Sequence, residues 1–270
     1  MTTTKLFDLA LQAYHELQPE IEQAGLLGHA PPLLSLAQVI GSLGSRPRDA
    51  LLLGAAMDGL PVLLDLSDPT PNPLLVMGER GSGKTPLLQL LARSVDLLQE
   101  TGDAQFAVIT NFPEEWEGGG SEQSSAMTTS SASMGVWPAY HGATAQFIHD
   151  MASWAKSSIS SRHIRIMLID DLAALTSATL DVQEDLRWLL VSGPERHLWT
   201  VATLNAVRAV RQRSWIELFP THIFGCIHQP VIAESLSGEA MAGLTGLVPG
   251  LQFKLKQNTG WLQFYLPAPK

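Results

Sequence analysis

The sequence predicts an α/β fold: a mainly parallel sheet with helices on both faces. Three observations predict it. Apolar runs of strand length alternate with helical patterns between residues 74 and 227. A glycine-rich segment, Gly78-Glu79-Arg80-Gly81-Ser82-Gly83-Lys84-Thr85, lies directly between one such run and one such helix. A later apolar run, Ile166-Met167-Leu168-Ile169, ends in the paired acids Asp170-Asp171. Repeated strand and helix in this order is the pattern of a sheet buried on two sides.

The elements follow in chain order. From Lys5 to Gln23, Leu6, Leu9, Leu11, Tyr14 and Leu17 recur at near-helical spacing, which predicts an amphipathic helix. Pro31 and Pro32 stop it. A second short helix is expected over Leu34 to Leu43, before the Gly44 to Pro47 breaker, so that residues 1–50 read as a helical appendage to a domain over residues 51–270. Leu51-Leu52-Leu53-Gly54 and Val62 to Leu66 read as two strands joined by a turn at Asp58-Gly59. Leu74 to Met77 is a buried strand. Further strands are expected at Phe106 to Thr110, Ile164 to Ile169, Leu198 to Thr203 and Ile223 to Ile227. Helices are expected at Thr85 to Gln99, Thr144 to Lys156, Leu180 to Val191 and Ala206 to Leu218. Leu251 to Leu255 and Trp261 to Leu266, around Asn258-Thr259-Gly260, predict an antiparallel hairpin at the sheet edge. Glu114 to Val136 is crowded with Ser, Gly and Thr and reads as a flexible insertion.

Composition bounds the function. With 45% hydrophobic and 16% charged residues, the 270-residue chain is globular, not disordered. A single cysteine, Cys226, excludes an intrachain disulfide and points to a reducing, cytoplasmic setting. No apolar run reaches the roughly 20 residues needed to cross a bilayer. A formal net charge of −9 argues against nucleic-acid binding over the whole surface and leaves room only for a local basic strip.

Gly78 to Thr85 satisfies GxxxxGK[ST] between a strand and a helix, the context in which that spacing binds phosphate. Glycines let backbone amides curl around a β-phosphate, and the helix start adds its positive end. Lys84 is placed to reach β- and γ-oxygens, and the Thr85 hydroxyl to ligate Mg²⁺. Pro86 is tolerated because early helix amides have no intrahelical partner. Asp170 is the metal-side acid at its strand end. Asp171 either orients the attacking water or caps the following helix. ATP with Mg²⁺ is the expected ligand, with Lys84, Asp170 and Asp171 as the catalytic set.

Several separated segments together resemble the motor domain of the FtsK/HerA superfamily of P-loop ATPases, with most likeness to the FtsK/SpoIIIE-type DNA translocases. The resemblance is carried by Leu53-Gly54, Asp58-Gly59-Leu60-Pro61-Val62, Asp65-Leu66 and Asn72-Pro73-Leu74-Leu75-Val76-Met77-Gly78 running into the glycine-rich loop. It continues through Ile169-Asp170-Asp171-Leu172-Ala173-Ala174-Leu175, His197-Leu198, Ala202-Thr203 and Phe219-Pro220-Thr221. It implies a RecA-like fold, a homo-oligomeric ring, typically hexameric, with ATP sites between subunits, and duplex DNA as the substrate moved. Three positions depart from the family pattern. The γ-phosphate-sensing Gln is Leu204, the Arg after Phe-Pro-Thr is His222, and the second acid is Asp171 in place of Glu. Thr203 and Asn205 are the remaining sensor candidates; Arg187, Arg196 and Arg208 are the nearby candidates for a displaced arginine finger. The alternative to a motor is a nucleotide-gated assembly or regulatory protein with little turnover.

Arg208, Arg211 and Arg213 form a tight basic cluster. It could touch DNA phosphates or a neighbour's nucleotide, or serve as a solvated or salt-bridged face. The seven tryptophans are spread out, as packing residues are, and are not interleaved with basic residues as in a strand-binding platform. His222, Cys226 and His228 lie close in sequence in and beside one predicted strand, but three candidates fall short of the four ligands of a structural zinc site, and no metal site is expected. The amino-terminal helices are the candidate contact for a protein partner.

Overall fold

The computed structural model describes residues 34–44, 47, 49–98, 104–116, 130–157, 163–257 and 260–268. The helix expected over Lys5 to Gln23 lies outside them. The described residues from Leu34 on form one compact unit.

The unit begins with helix α1 (Leu36–Gly41), closed by a capping box in which Ser35 and Gln38 satisfy each other's backbone amides. The Leu36 amide donates to the Ala268 carbonyl at 2.8 Å, tying this helix to the end of the chain. Leu36 and Val39 are buried in the same core as the strands that follow.

Among the described residues, ten strands form one sheet in the order β2-β1-β10-β9-β8-β3-β7-β6-β4-β5. They are β1 (Ala50–Ala56), β2 (Pro61–Asp65), β3 (Leu74–Gly78), β4 (Ala104–Thr110), β5 (Ser133–Pro138), β6 (Ile164–Asp170), β7 (Leu198–Asn205), β8 (Thr221–Phe224), β9 (Gln252–Gln257) and β10 (Gly260–Tyr265). From β8 to β5 every neighbouring pair is parallel. β9, β10, β1 and β2 add antiparallel neighbours.

Side-chain alternation divides the interior into two cores. Leu74, Val76, Ile166, Leu168, Trp199 and Val201 face one side, where helix α2 (Lys84–Leu98) packs Leu87, Leu88, Leu91 and Val95 against them. Leu75, Met77, Met167, Ile169, Leu198 and Ala202 face the other side, against helices α3 (Gly142–Ser157) and α5 (Leu180–Ser192). Central strands buried on both faces need continuous apolar sequence, as β3 has throughout and β6 has over Ile166 to Ile169. Asn72 pins the loop before β3: its amide donates to the Leu198 carbonyl at 2.6 Å, and its oxygen accepts from the Thr200 amide at 3.0 Å.

Four expectations are corrected. The carboxy-terminal hairpin forms, but inside the sheet: β9 pairs with β8 and β10 with β1, and Phe253 stacks on Phe264 with centroids 5.7 Å apart. The sheet edges are β2 and β5. The insertion over 114–136 is not all loop, because Ser133–Pro138 is the edge strand β5 and Trp116 is fully buried. Ala206 to Leu218 is two short turns, α6 (Ala206–Ala209) and α7 (Arg213–Ile216), since the Arg211 and Gln212 amides bond three residues back and close the first one. The strand expected over Ile223 to Ile227 runs from Thr221 to Phe224, after which the Gly225 amide bonds the Met77 carbonyl and the chain leaves the sheet. Helix α8 (Pro230–Ser237) was not expected.

Tryptophans pack as their scattered positions suggested. Trp116, Trp199 and Trp215 are buried, Trp137 stacks on Phe147, and Trp154 lies under Arg165. Among the described residues no helix is long and apolar enough to cross a membrane.

Candidate nucleotide site

The ends of β3, β6 and β7 open on one cleft of about 640 Å³. It is lined by Arg80, Gly81, Gly83, Lys84, Thr85 and Pro86 from the phosphate loop, and by Asp170, Asp171, Thr203, Asn205 and Arg208 from the strand ends beyond.

The loop has the shape its glycines require. Gly81 and Gly83 have φ of +79° and +90°, a region side chains rarely adopt. A Cβ on Gly83 would lie 2.9 Å from Gly250 Cα, whereas Gly81 faces open space. A Cβ on Gly78 would collide with Ser82, whose own side chain is buried against Gly225. Glu79 anchors the loop from outside. Its carboxylate accepts from the His228 amide at 2.9 Å and meets His228 Nδ1 at 2.8 Å. Burial pushes the Glu79 carboxyl up, but the His228 ring and the amides of Gln229 and His228 outweigh it and leave it below its ordinary range.

Lys84 folds along the loop and donates to the carbonyls of Gly78 at 3.0 Å and Glu79 at 2.7 Å. Burial holds its ammonium below the usual lysine range, against the attraction of Asp170, Asp171 and Glu79. Thr85 donates to Asp170 Oδ2 at 2.8 Å, and Thr203 donates to Asp170 Oδ1 at 2.9 Å. Asp170 is 9% exposed, and burial raises its pKa despite these two hydroxyls and Lys84. A hydroxyl and a buried carboxylate side by side are the hard oxygen donors that Mg²⁺ takes, and a cation there would offset the buried charge. The residues therefore fit Mg²⁺ at Thr85 and Asp170, and the loop fits a polyphosphate.

Asp171 performs the capping role. Its φ is +78°, its Oδ1 accepts from the Ala173 amide at 3.3 Å, and it starts the short helix α4 (Leu172–Leu175). Its Oδ2 pairs with Arg208 Nη1 at 2.9 Å and accepts from Asn111 Nδ2 at 3.4 Å. Capping and lining the cleft coexist in one side chain.

The other sequence candidates separate. Thr203 links the two acids, accepting from the Asp171 amide at 2.9 Å while donating to Asp170. Asn205 lines the cleft and caps α6 through the Val207 amide at 3.0 Å. Leu204 is fully buried in the core. Of the basic cluster only Arg208 lines the cleft; Arg211 and Arg213 are exposed elsewhere. Arg187 stacks over Trp215 at 4.1 Å, and Arg196 does not line the cleft. His222 pairs in register with Leu75, three residues before Gly78, and burial lowers its pKa. It sits toward the start of its strand, away from the phosphate loop.

Sequence reasoning missed Phe112, Glu115 and Gly250, which also line the cleft. Burial, with the charges of Asp170 and Glu114, raises the Glu115 carboxyl. The Pro113 breaker directly after an apolar strand was the available signal for the first two, and Pro249-Gly250 for the third.

No protein-family model matches the sequence, and no curated protein sequence matches it. Solved structures do match. The cytoplasmic domain of the type VII secretion ATPase EccC from Thermomonospora curvata superposes with a TM-score of 0.65 at 15% identity, over 90% of this chain and 28% of that one. The pCW3 conjugation coupling protein TcpA, solved with ATPγS, gives 0.64 at 13% identity, over 90% of this chain and 71% of that one. B204, the DNA-packaging ATPase of Sulfolobus turreted icosahedral virus, gives 0.53 at 11% identity, over 74% and 99%. The fold is thus that of the RecA-like P-loop ATPases.

Proposed function

We propose that this chain is an ATP-binding motor domain of the FtsK/SpoIIIE type, which hydrolyses ATP in a hexameric ring and moves duplex DNA through it. The observation that carries the reading is the Thr85–Asp170 pair held at 2.8 Å beside the Lys84 loop. Loop amides and Lys84 hold the β- and γ-phosphates, while Thr85 and Asp170 hold Mg²⁺. The bound cation would neutralise charge on the phosphate oxygens. Asp171 orients the water that attacks the terminal phosphorus as the bond to the ADP oxygen breaks, giving ADP, inorganic phosphate and a proton. Exposed Arg211 and Arg213 are the residues offered to DNA phosphates.

Two features support a second reading, a nucleotide-gated assembly protein with little turnover: Leu204 is buried at the family's sensor position, and Asp171 is occupied by Arg208 and a helix cap. ATP turnover measured with and without duplex DNA, with Lys84→Ala as control, separates the two. The motor reading expects turnover that Lys84→Ala abolishes and DNA stimulates. Tight ATP binding with no turnover in either condition would replace it with the gate.

A further inference from the structure

The sequence groups Arg208 with Arg211 and Arg213, but the fold separates them. Arg208 leaves the sheet one turn after β7, in the short α6 that Asn205 caps, and this turn brings its guanidinium back over the strand ends. There it lines the cleft with Lys84, Thr85 and Asp170 of the same chain. Its described partner is Asp171 Oδ2, reached through Nη1 at 2.9 Å, and its side chain is 61% exposed. A guanidinium carries five N–H donors in a planar fork that matches phosphate oxygens two at a time. Asp171 is already served by other donors, the Ala173 amide at 3.3 Å and Asn111 at 3.4 Å. Its carboxylate would therefore keep partners if Arg208 moved.

Resting on the nucleotide-site reading above, we propose that Arg208 is a phosphate-contacting residue in cis: it exchanges Asp171 for the terminal phosphate of the ATP held by its own chain. The exchange takes the charged partner from Asp171 Oδ2, which then faces the water while Asn111 still donates to it. ADP offers no third phosphate, so with ADP the Arg208–Asp171 pair stays closed. The residue then supplies in cis a positive charge at the strand end beside buried Leu204, and it ties the state of Asp171 to the presence of the third phosphate.

The test is the affinity of the full chain for ATPγS and for ADP, each with Mg²⁺, in wild type, Arg208→Ala and Arg208→Lys. Loss of a charged contact to phosphate corresponds to roughly 10- to 100-fold in affinity. Arg208→Ala should lose that much for ATPγS and change less than about twofold for ADP, and Arg208→Lys should retain part of the difference because it keeps the charge without the fork. Arg208 is exposed and its replacement is expected to leave the fold intact, which circular dichroism checks. Equal losses for both nucleotides, or no loss for either, would overturn the inference. The loss for ATPγS must also persist in dilute protein that light scattering shows to be monomeric; a loss confined to assembled protein would assign Arg208 to a neighbour's nucleotide and overturn the cis role. Wild type that binds neither nucleotide would instead overturn the site reading beneath it.

Discussion

Asp170 shows what the site demands of one side chain. Its carboxylate sits between Thr85 and Thr203 at the end of a central strand, and burial keeps its pKa above the ordinary 3.8. Below that ordinary value both folded and unfolded chains carry the proton, so the group costs nothing. As pH rises through the folded-state value, the native chain resists an ionisation that the unfolded chain accepts, and stability is lost. Asp170→Asn should therefore melt higher than wild type at neutral pH, with the gain fading in acid, while Mg²⁺-dependent ATP binding weakens. Paired melting curves across pH, with and without MgATP, check both halves. A variant less stable than wild type at neutral pH would show that the two hydroxyls outweigh burial. Asp170, Lys84 and Thr85 were legible in the sequence because short-range spacing fixes them. The sequence grouped Arg208 both with Arg211 and Arg213 and with Arg187 and Arg196, because only the turn of α6, not the spacing of arginines, decides which of them faces the cleft.

At the scale of elements, the phosphate loop is shaped by a close approach between distant segments. Gly83 at φ +90° lies against Gly250, which itself has φ +77°. Gly83→Ala meets both the backbone penalty and the contact 2.9 Å away, and should destabilise the fold by about 1–3 kcal/mol, read from urea unfolding. Gly81→Ala shares the strained φ but faces open space, so its smaller loss isolates the contact. The strands that carry the site were readable since β3, and β6 over Ile166 to Ile169, are apolar runs buried on both faces. β5 was not, because all but its last residue are half-buried and its composition is that of a loop. Nor could the hairpin of β9 and β10 be placed: local turn chemistry specifies that two strands pair, whereas their insertion between β1 and β8 depends on long-range partners.

For the molecule as a whole, the sheet gathers the ends of β3, β6 and β7 into one cleft, while a formal net charge of −9 leaves few places for a polyanion. If the proposed ring completes each ATP site with a neighbour, MgATP should favour assembly by mass action, and light scattering should report growth beyond the monomer. A strict monomer at high concentration with saturating ATPγS would remove the ring from the proposal while leaving the cleft intact. The cleft itself is the centre of the account, and a calorimetric titration of MgATP into wild type and Lys84→Ala tests it most directly. The account predicts saturable binding at one site per wild-type chain and a loss of at least about tenfold in the variant, equivalent to roughly 1.4 kcal/mol. Equal affinity in the two proteins would contradict it.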